Sequence, residues 1–278
     1  VGEVARHAAE IAGLLPGIEP GEGVSAGFGV GYYLHVPENI STTAPVGDER
    51  PYAGWLHAST LLTGQTGNRL DTWKFDLGVV GPSAQSEQLV EFFHNIFGGL
   101  EMNGWDNQIE DRIGVQAAWS RRWRNLSDLG GGWQADVSPA IGIEAGSVSV
   151  AVDAGVTLRL GANLDADFGA PRAGPMGGSL SRRSGDGWSG YLFASANARY
   201  QPYDVFLDEL GGEDGDPIRG GQSISRDDVR SELSLGAVLA YGSARLTFAM
   251  TEEAERYDQV FLACHSDQAL RLLADPTP

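Results

Sequence analysis

From Val148 to Leu160 every second residue is apolar: Val148, Val150, Val152, Ala154, Val156, Leu158 and Leu160. Ser149, Asp153, Thr157 and Arg159 lie between them. Successive side chains of a strand point to opposite faces, so this segment has one apolar face and one polar, charged face. The pattern returns in Leu192–Tyr200, Leu233–Tyr241, Leu246–Met250, Ile113–Trp119, Trp73–Val79 and Val24–Leu34. Nine strands follow, over about 24–35, 53–64, 71–80, 111–123, 133–145, 147–161, 189–201, 228–242 and 243–254. Many run 10–15 residues, against about 5–6 for an ordinary globular strand. Long alternating strands predict an all-β, antiparallel transmembrane β-barrel with apolar residues toward lipid and polar ones toward the lumen. The links at 145–147 and 242–243 read as tight turns, and 162–188 and 202–227 as surface loops. A soluble barrel or sandwich also alternates, and periodicity alone leaves it open. Bacterial single-chain barrels nearly always have even strand numbers, so a count of nine means either a strand miscounted or a piece missing.

Composition narrows the classes. No apolar run reaches the roughly 18 residues of a membrane-spanning helix. The net charge is −18, from 37 acidic and 19 basic residues. That argues against nucleic acid, which needs a basic footprint, and suits a setting rich in divalent cations. Cys264 is the one cysteine, so neither an internal disulfide nor a cysteine metal cluster can form. The five histidines (His7, His35, His57, His94, His265) show no paired spacing of a zinc site. Residues 1–23 read as a helix-like, proline-broken segment outside the barrel, 24–258 as the barrel, and 259–278 as a tail without alternation. The chain opens at Val1 without a signal peptide, the expectation for a processed or truncated N-terminus.

One helix interrupts the strands. In 83–99, Leu89, Phe92, Phe93 and Ile96 fall at helical spacing. Ser83 or Ser86 can cap its start and Gly98 can stop it. His94 stands near its C-terminal end. Around it lie GDERPYAGWLHAST at 47–60, LGVVGPSAQSEQLVEFFHNIFGG at 77–99 and NGWDNQIEDR at 103–112, with weaker landmarks DFGAPR at 167–172 and FLDE at 206–209. In order and content these resemble the motifs of the LpxR-like lipid A 3′-O-deacylase family, over about residues 24–258.

The resemblance implies a twelve-stranded outer-membrane barrel, about nine of whose strands are visible here. It implies an active site between the wall and an extracellular helix at the level of the outer leaflet. The implied reaction is calcium-dependent hydrolysis of the ester carrying the 3′-acyloxyacyl group of lipid A, with His94 as general base. The implied partner is lipopolysaccharide, the location the bacterial outer membrane and the state a monomer. An imidazole titrates near neutrality and can take a proton from an attacking water. Calcium needs several oxygen ligands, and the sequence does not name them. Arg50 and Tyr52 (with Asp48), and Trp105 and Gln108 (with Asp106), either touch the substrate headgroup or brace the site. Trp55, Trp73, Trp119, Trp123 and Trp133 suit an interfacial girdle. Arg121, Arg122 and Arg124 either meet lipid phosphates or snorkel at a strand end. Pro139 removes a ladder donor from its strand.

The chain also departs from the pattern. Residues 1–23 hold no match to the family's Asn-Asp pair and Tyr-Thr motif. Val90 stands where a glutamine is typical, Leu100 (with Glu101 next) where a glutamate is, and 37–46 lacks a lysine. Two strands before residue 24 and one after 258 are thereby implied and not seen. These departures keep a second reading alive: a non-catalytic barrel that binds lipopolysaccharide or is only structural.

Overall fold

The computed structural model describes residues 12–19, 23–44, 49–98, 102–169, 187–208, 227–242 and 244–253. It is built on one antiparallel sheet whose strands follow chain order. The strands are β1 (Val24–His35), β2 (Ala53–Thr66), β3 (Arg69–Val80), β4 (Arg112–Trp123), β5 (Asn125–Gly130), β6 (Trp133–Gly146), β7 (Ser149–Ala162), β8 (Trp188–Asp204), β9 (Val229–Tyr241) and β10 (Ala244–Glu253). Helix α1 covers Ser86–Phe97 and a single turn, α2, covers Val205–Asp208.

Ten strands make nine staves, because β4 and β5 both pair with β6 and share one line. The ladder from β4 ends at Arg122–Ala140 and that from β5 begins at Asn125–Val137. Pro139 sits opposite the gap, where its missing N–H interrupts nothing. The staves curl into a barrel wall. Arg245 on β10 reaches across the lumen to Asp167, just beyond β7. Among the described residues β1 and β10 are each paired on one side only.

The period-two reading sorts the two faces. Leu77, Ile113, Leu192, Leu235, Leu246 and Phe248 point outward and are exposed, which a soluble barrel would not tolerate and a lipid-facing wall requires. The expected lumenal residues Asp153, Arg159, Asn197, Arg199 and Glu232 face inward and engage one another. Arg199 pairs with Asp153 at 3.1 Å and Glu144 at 3.0 Å. Asn197 Nδ2 donates to Glu232 at 3.1 Å and Arg159 pairs with Asp136 at 2.6 Å. Burial of charge is tolerated here because Asp136, Glu144, Asp153 and Arg159 each have an ionic partner.

The two ends differ. The helical end carries the connections 36–52, 81–111 and 205–228 and the tight turn 147–148, and the turn end carries 67–68, 131–132, 242–243 and the connection 163–187. The expected long loops therefore fall at opposite ends, and most of each lies outside the described residues. The segment 163–169 turns into the barrel. Leu164 and Phe168 are fully buried, Leu164 with Tyr191, Phe193 and Val238. Asp167 is the hub: Arg159 at 2.7 Å, Arg245, the Tyr191 hydroxyl at 3.3 Å and Gly169 N at 2.8 Å all bind its carboxylate.

Residues 12–19 lie against the outside of the wall at the same end. Ile18 packs on Leu62, and Trp73 Nε1 donates to Pro16 O at 3.0 Å. Asp71, on this outer face, is fully buried between Arg69 at 3.0 Å and Arg121 at 2.9 Å. Arg122 donates to Phe168 O at 2.8 Å and Arg124 to Asp165 O at 2.8 Å. The arginines at 121–124 thus serve the protein at the turn end. Trp73, Trp119 and Trp123 face outward nearby and suit a girdle. Trp55 does not: it faces the lumen, buried and stacked on His57 with ring centroids 4.0 Å apart.

Candidate active site on the outside of the wall

Tyr32 and Leu34 on β1, and Gly54 on β2, share the outward register. All three seat the polypeptide that follows β3. The Tyr32 hydroxyl donates to Ala84 O at 2.9 Å and lies 2.7 Å from Ser86 Oγ. Gly54 is required there because a Cβ would collide with Ser86 Oγ. Helix α1 therefore docks laterally, on the outside of the wall at the helical end.

The start of α1 differs from expectation. Gln85, in the left-handed region (φ 58°), precedes the helix, and no side chain caps it. Ser86 is spent on Tyr32, and Ser83 bonds through N (2.7 Å) and Oγ (2.8 Å) to Asp111. Gly98, at φ 75°, ends the helix as expected, its N–H donating to His94 O at 2.8 Å.

Each turn of α1 has three surroundings. Ser86, Val90 and His94, four residues apart, form one stripe, and the first two are buried against the protein. Val90 packs with Tyr52 and Trp105, flanked by Leu34, Val36 and Met102. Tyr52 and Trp105 rings lie 4.6 Å apart at 50°. Leu89, Phe92, Phe93 and Ile96 make a second, apolar sector, and Gln88, Glu91 and Asn95 a third, polar one. His94 is half-buried at the stripe's outer end.

The motifs gain individual tasks. Gly104 lies under the Tyr52 ring, where a Cβ would clash. Asn107 Nδ2 donates to Thr43 O at 2.7 Å and Asn103 N to Ile40 O at 3.0 Å, lacing 102–108 to the loop at 36–44. The Tyr52 hydroxyl donates to Ile40 O at 3.2 Å. Burial pushes this phenol above its ordinary range. Ile109 N donates to Tyr52 O at 3.1 Å and Gln108, buried, to Trp105 O through its N–H at 3.2 Å. Tyr52 and Trp105 thus gather around Val90, one helical turn below His94, and Gln108 is tied to Trp105 through its backbone N–H. Arg50 is half-buried and acts electrostatically on His35, as does Arg230; His35 stacks on Phe206 at 4.3 Å. Tyr32 was read only as one alternating residue of its strand and Gly54 not at all, because the segment each one seats arrives from beyond β3.

Among the described residues no three His, Cys, Asp or Glu side chains gather as a cation cage. Asp48 and Glu101 lie outside the described residues.

An open apolar outer wall, a polar and plugged lumen and a helix docked from outside define an outer-membrane β-barrel with a laterally placed site. The chain belongs to the LpxR family: the family model described as "Outer membrane protein LpxR" matches residues 3–261, including most of the segment before β1. LpxR from Salmonella typhimurium is similar in structure, with a TM-score of 0.73 at 18% sequence identity, covering 86% of this chain and 79% of that one. No curated protein matches.

Proposed function

We propose that this chain hydrolyses the 3′-acyloxyacyl ester of lipid A in the outer leaflet, working as a monomer with His94 as general base. The observation that carries the reading is the position of His94, on the inward stripe of a helix docked outside the wall, where a lipid can arrive sideways. His94 would take a proton from water as the water oxygen bonds to the ester carbonyl carbon. The acyl–oxygen bond then breaks, and the sugar oxygen leaves with a proton. Tyr52 and Trp105 hold the helix that bears it, and Arg50 and Gln108 are the candidates for headgroup contact. The hydrolysis would depend on calcium, as the family resemblance implies.

Incubating the folded chain with lipid A in detergent, with calcium or with chelator, and weighing the lipid by mass spectrometry tests this. Loss of one acyloxyacyl group in calcium and not in chelator is expected. Intact lipid A in calcium would overturn hydrolysis. Val90 favours one alternative: an apolar side chain fills the place one turn before His94, so no polar group adjoins His94 on that side of the stripe. A barrel that binds lipopolysaccharide without cleaving it would retain lipid A of unchanged mass.

A further inference from the structure

Asp71 on β3 and Arg121 on β4 are cross-strand neighbours on the outer, lipid-facing side of the wall. Their row, Val24–Gly64–Asp71–Arg121, closes the outward apolar runs of β1, β3 and β4 toward the turn end. On one side of the row stand Trp73, Phe75 and Leu77. On the other only Arg69 and Trp123 precede the turn at 67–68. Across from Arg121 and Trp119, β6 presents the exposed Ile141 and Ile143. Four residue steps from Gly67 to Asp71 give about 13 Å of strand, so the row lies where acyl chains meet headgroups. Three two-residue turns mark this end, and short turns face the periplasm in outer-membrane barrels. The headgroups at Arg121 therefore belong to the inner leaflet.

The Arg121 guanidinium is held on three sides. The buried Asp71 carboxylate accepts from its Nε at 2.9 Å and from Trp119 Nε1 at 3.1 Å. The Trp119 and Trp123 indoles flank it, their centroids 5.3 and 5.9 Å from Cζ. Gly17 closes the third side, where a Cβ would collide with Nη2. Arg69 is engaged by the protein: by Asp71 at 3.0 Å, Glu19 at 3.6 Å and Gly17 O at 3.4 Å. Among the described residues no acceptor takes Nη1 or Nη2 of Arg121, and 24% of its side chain stays open. Two parallel N–H groups on that edge match two oxygens of a phosphate. The two arginines outweigh the one buried carboxylate, and the opposing Glu19 is exposed to screening solvent. We propose that Arg121 binds the phosphate of an anionic glycerophospholipid of the inner leaflet, whose chains lie over Phe75, Leu77, Ile141 and Ile143. Asp71 acts here as a positioning residue that aims the fork. The inference rests on the outer-membrane location and not on hydrolysis, because His94 stands at the other end of the wall.

Native mass spectrometry of the full chain, folded in detergent and titrated with phosphatidylglycerol or phosphatidylcholine, tests it. Each variant is first shown to keep the gel mobility of the folded barrel. Wild type should retain one phosphatidylglycerol at a severalfold lower lipid concentration than one phosphatidylcholine. Arg121→Gln should abolish that difference. Arg121→Lys keeps the ion pair with Asp71 but lacks the second edge of the fork, and should weaken retention severalfold. Arg245→Ala, which removes an equal charge from the lumen, should retain phosphatidylglycerol as wild type does. Equal retention of the two lipids by wild type, or wild-type retention by Arg121→Gln, overturns the proposal. Displacement of the lipid by an equal concentration of inorganic phosphate overturns it too, since the site would then take a bare anion. None of these outcomes depends on whether lipid A is cleaved.

Discussion

At the helical end, α1 is held by Val90 packed against the tilted Tyr52 and Trp105 rings and by one tyrosine hydroxyl, Tyr32, that meets Ser86 and Ala84 O. At the turn end, 163–169 is held by a buried hub in which Asp167 meets Arg159, Arg245 and Tyr191. Neutral contacts at a half-open surface contribute about 1 kcal/mol each, and they can be made and broken singly. A buried ion network does not loosen gradually, because a charge stripped of its partner in the interior costs several kcal/mol. The two ends should therefore respond differently to substitution: the helix seat loosens contact by contact, and the hub gives way as a unit.

Removing the hub should separate the ends most sharply. Asp167→Ala leaves Arg245 and half of Arg159 without a carboxylate and should destabilise the barrel by about 3–5 kcal/mol, read by urea unfolding in detergent. The same variant should raise ion conductance in planar bilayers while the helical end stays intact. A smaller and local effect is expected from Gly54→Ala. The new Cβ displaces Ser86, overpacking costs about 1–3 kcal/mol, and amide exchange should quicken in α1 and not in 163–169. Smallest is Tyr32→Phe, which removes one hydroxyl and about 0.5–1.5 kcal/mol from the helix seat. Equal acceleration at both ends in either variant would dissolve the distinction.

The wall was legible because a period of two needs no partner to be known: Val148–Leu160 declares its two faces by itself, and the lumenal Asp153 and Arg199 followed. Helix α1 was legible from Leu89, Phe92, Phe93 and Ile96 at the other period. The break at Arg124 was not, since one unpaired residue barely disturbs alternation. Nor was the hub: Arg245 and Asp167 are 78 residues apart, and only the register of four staves brings them together. The caps misled because Ser83 and Ser86 found stronger partners in Asp111 and Tyr32. Trp55 was assigned to the girdle by residue type, whereas its position beside the outward Gly54 puts it in the lumen. His94 and its neighbours Tyr52 and Trp105 were found through motifs, and their meeting around Val90 required the docked helix.

The most direct test compares lipid A masses after exposure to three folded chains: wild type, His94→Ala and the plug variant Arg245→Ala. The account predicts loss of the 3′-acyloxyacyl group with wild type and Arg245→Ala, and intact lipid A with His94→Ala. Equal cleavage by wild type and His94→Ala, or no cleavage by a folded wild-type chain in calcium, would contradict it.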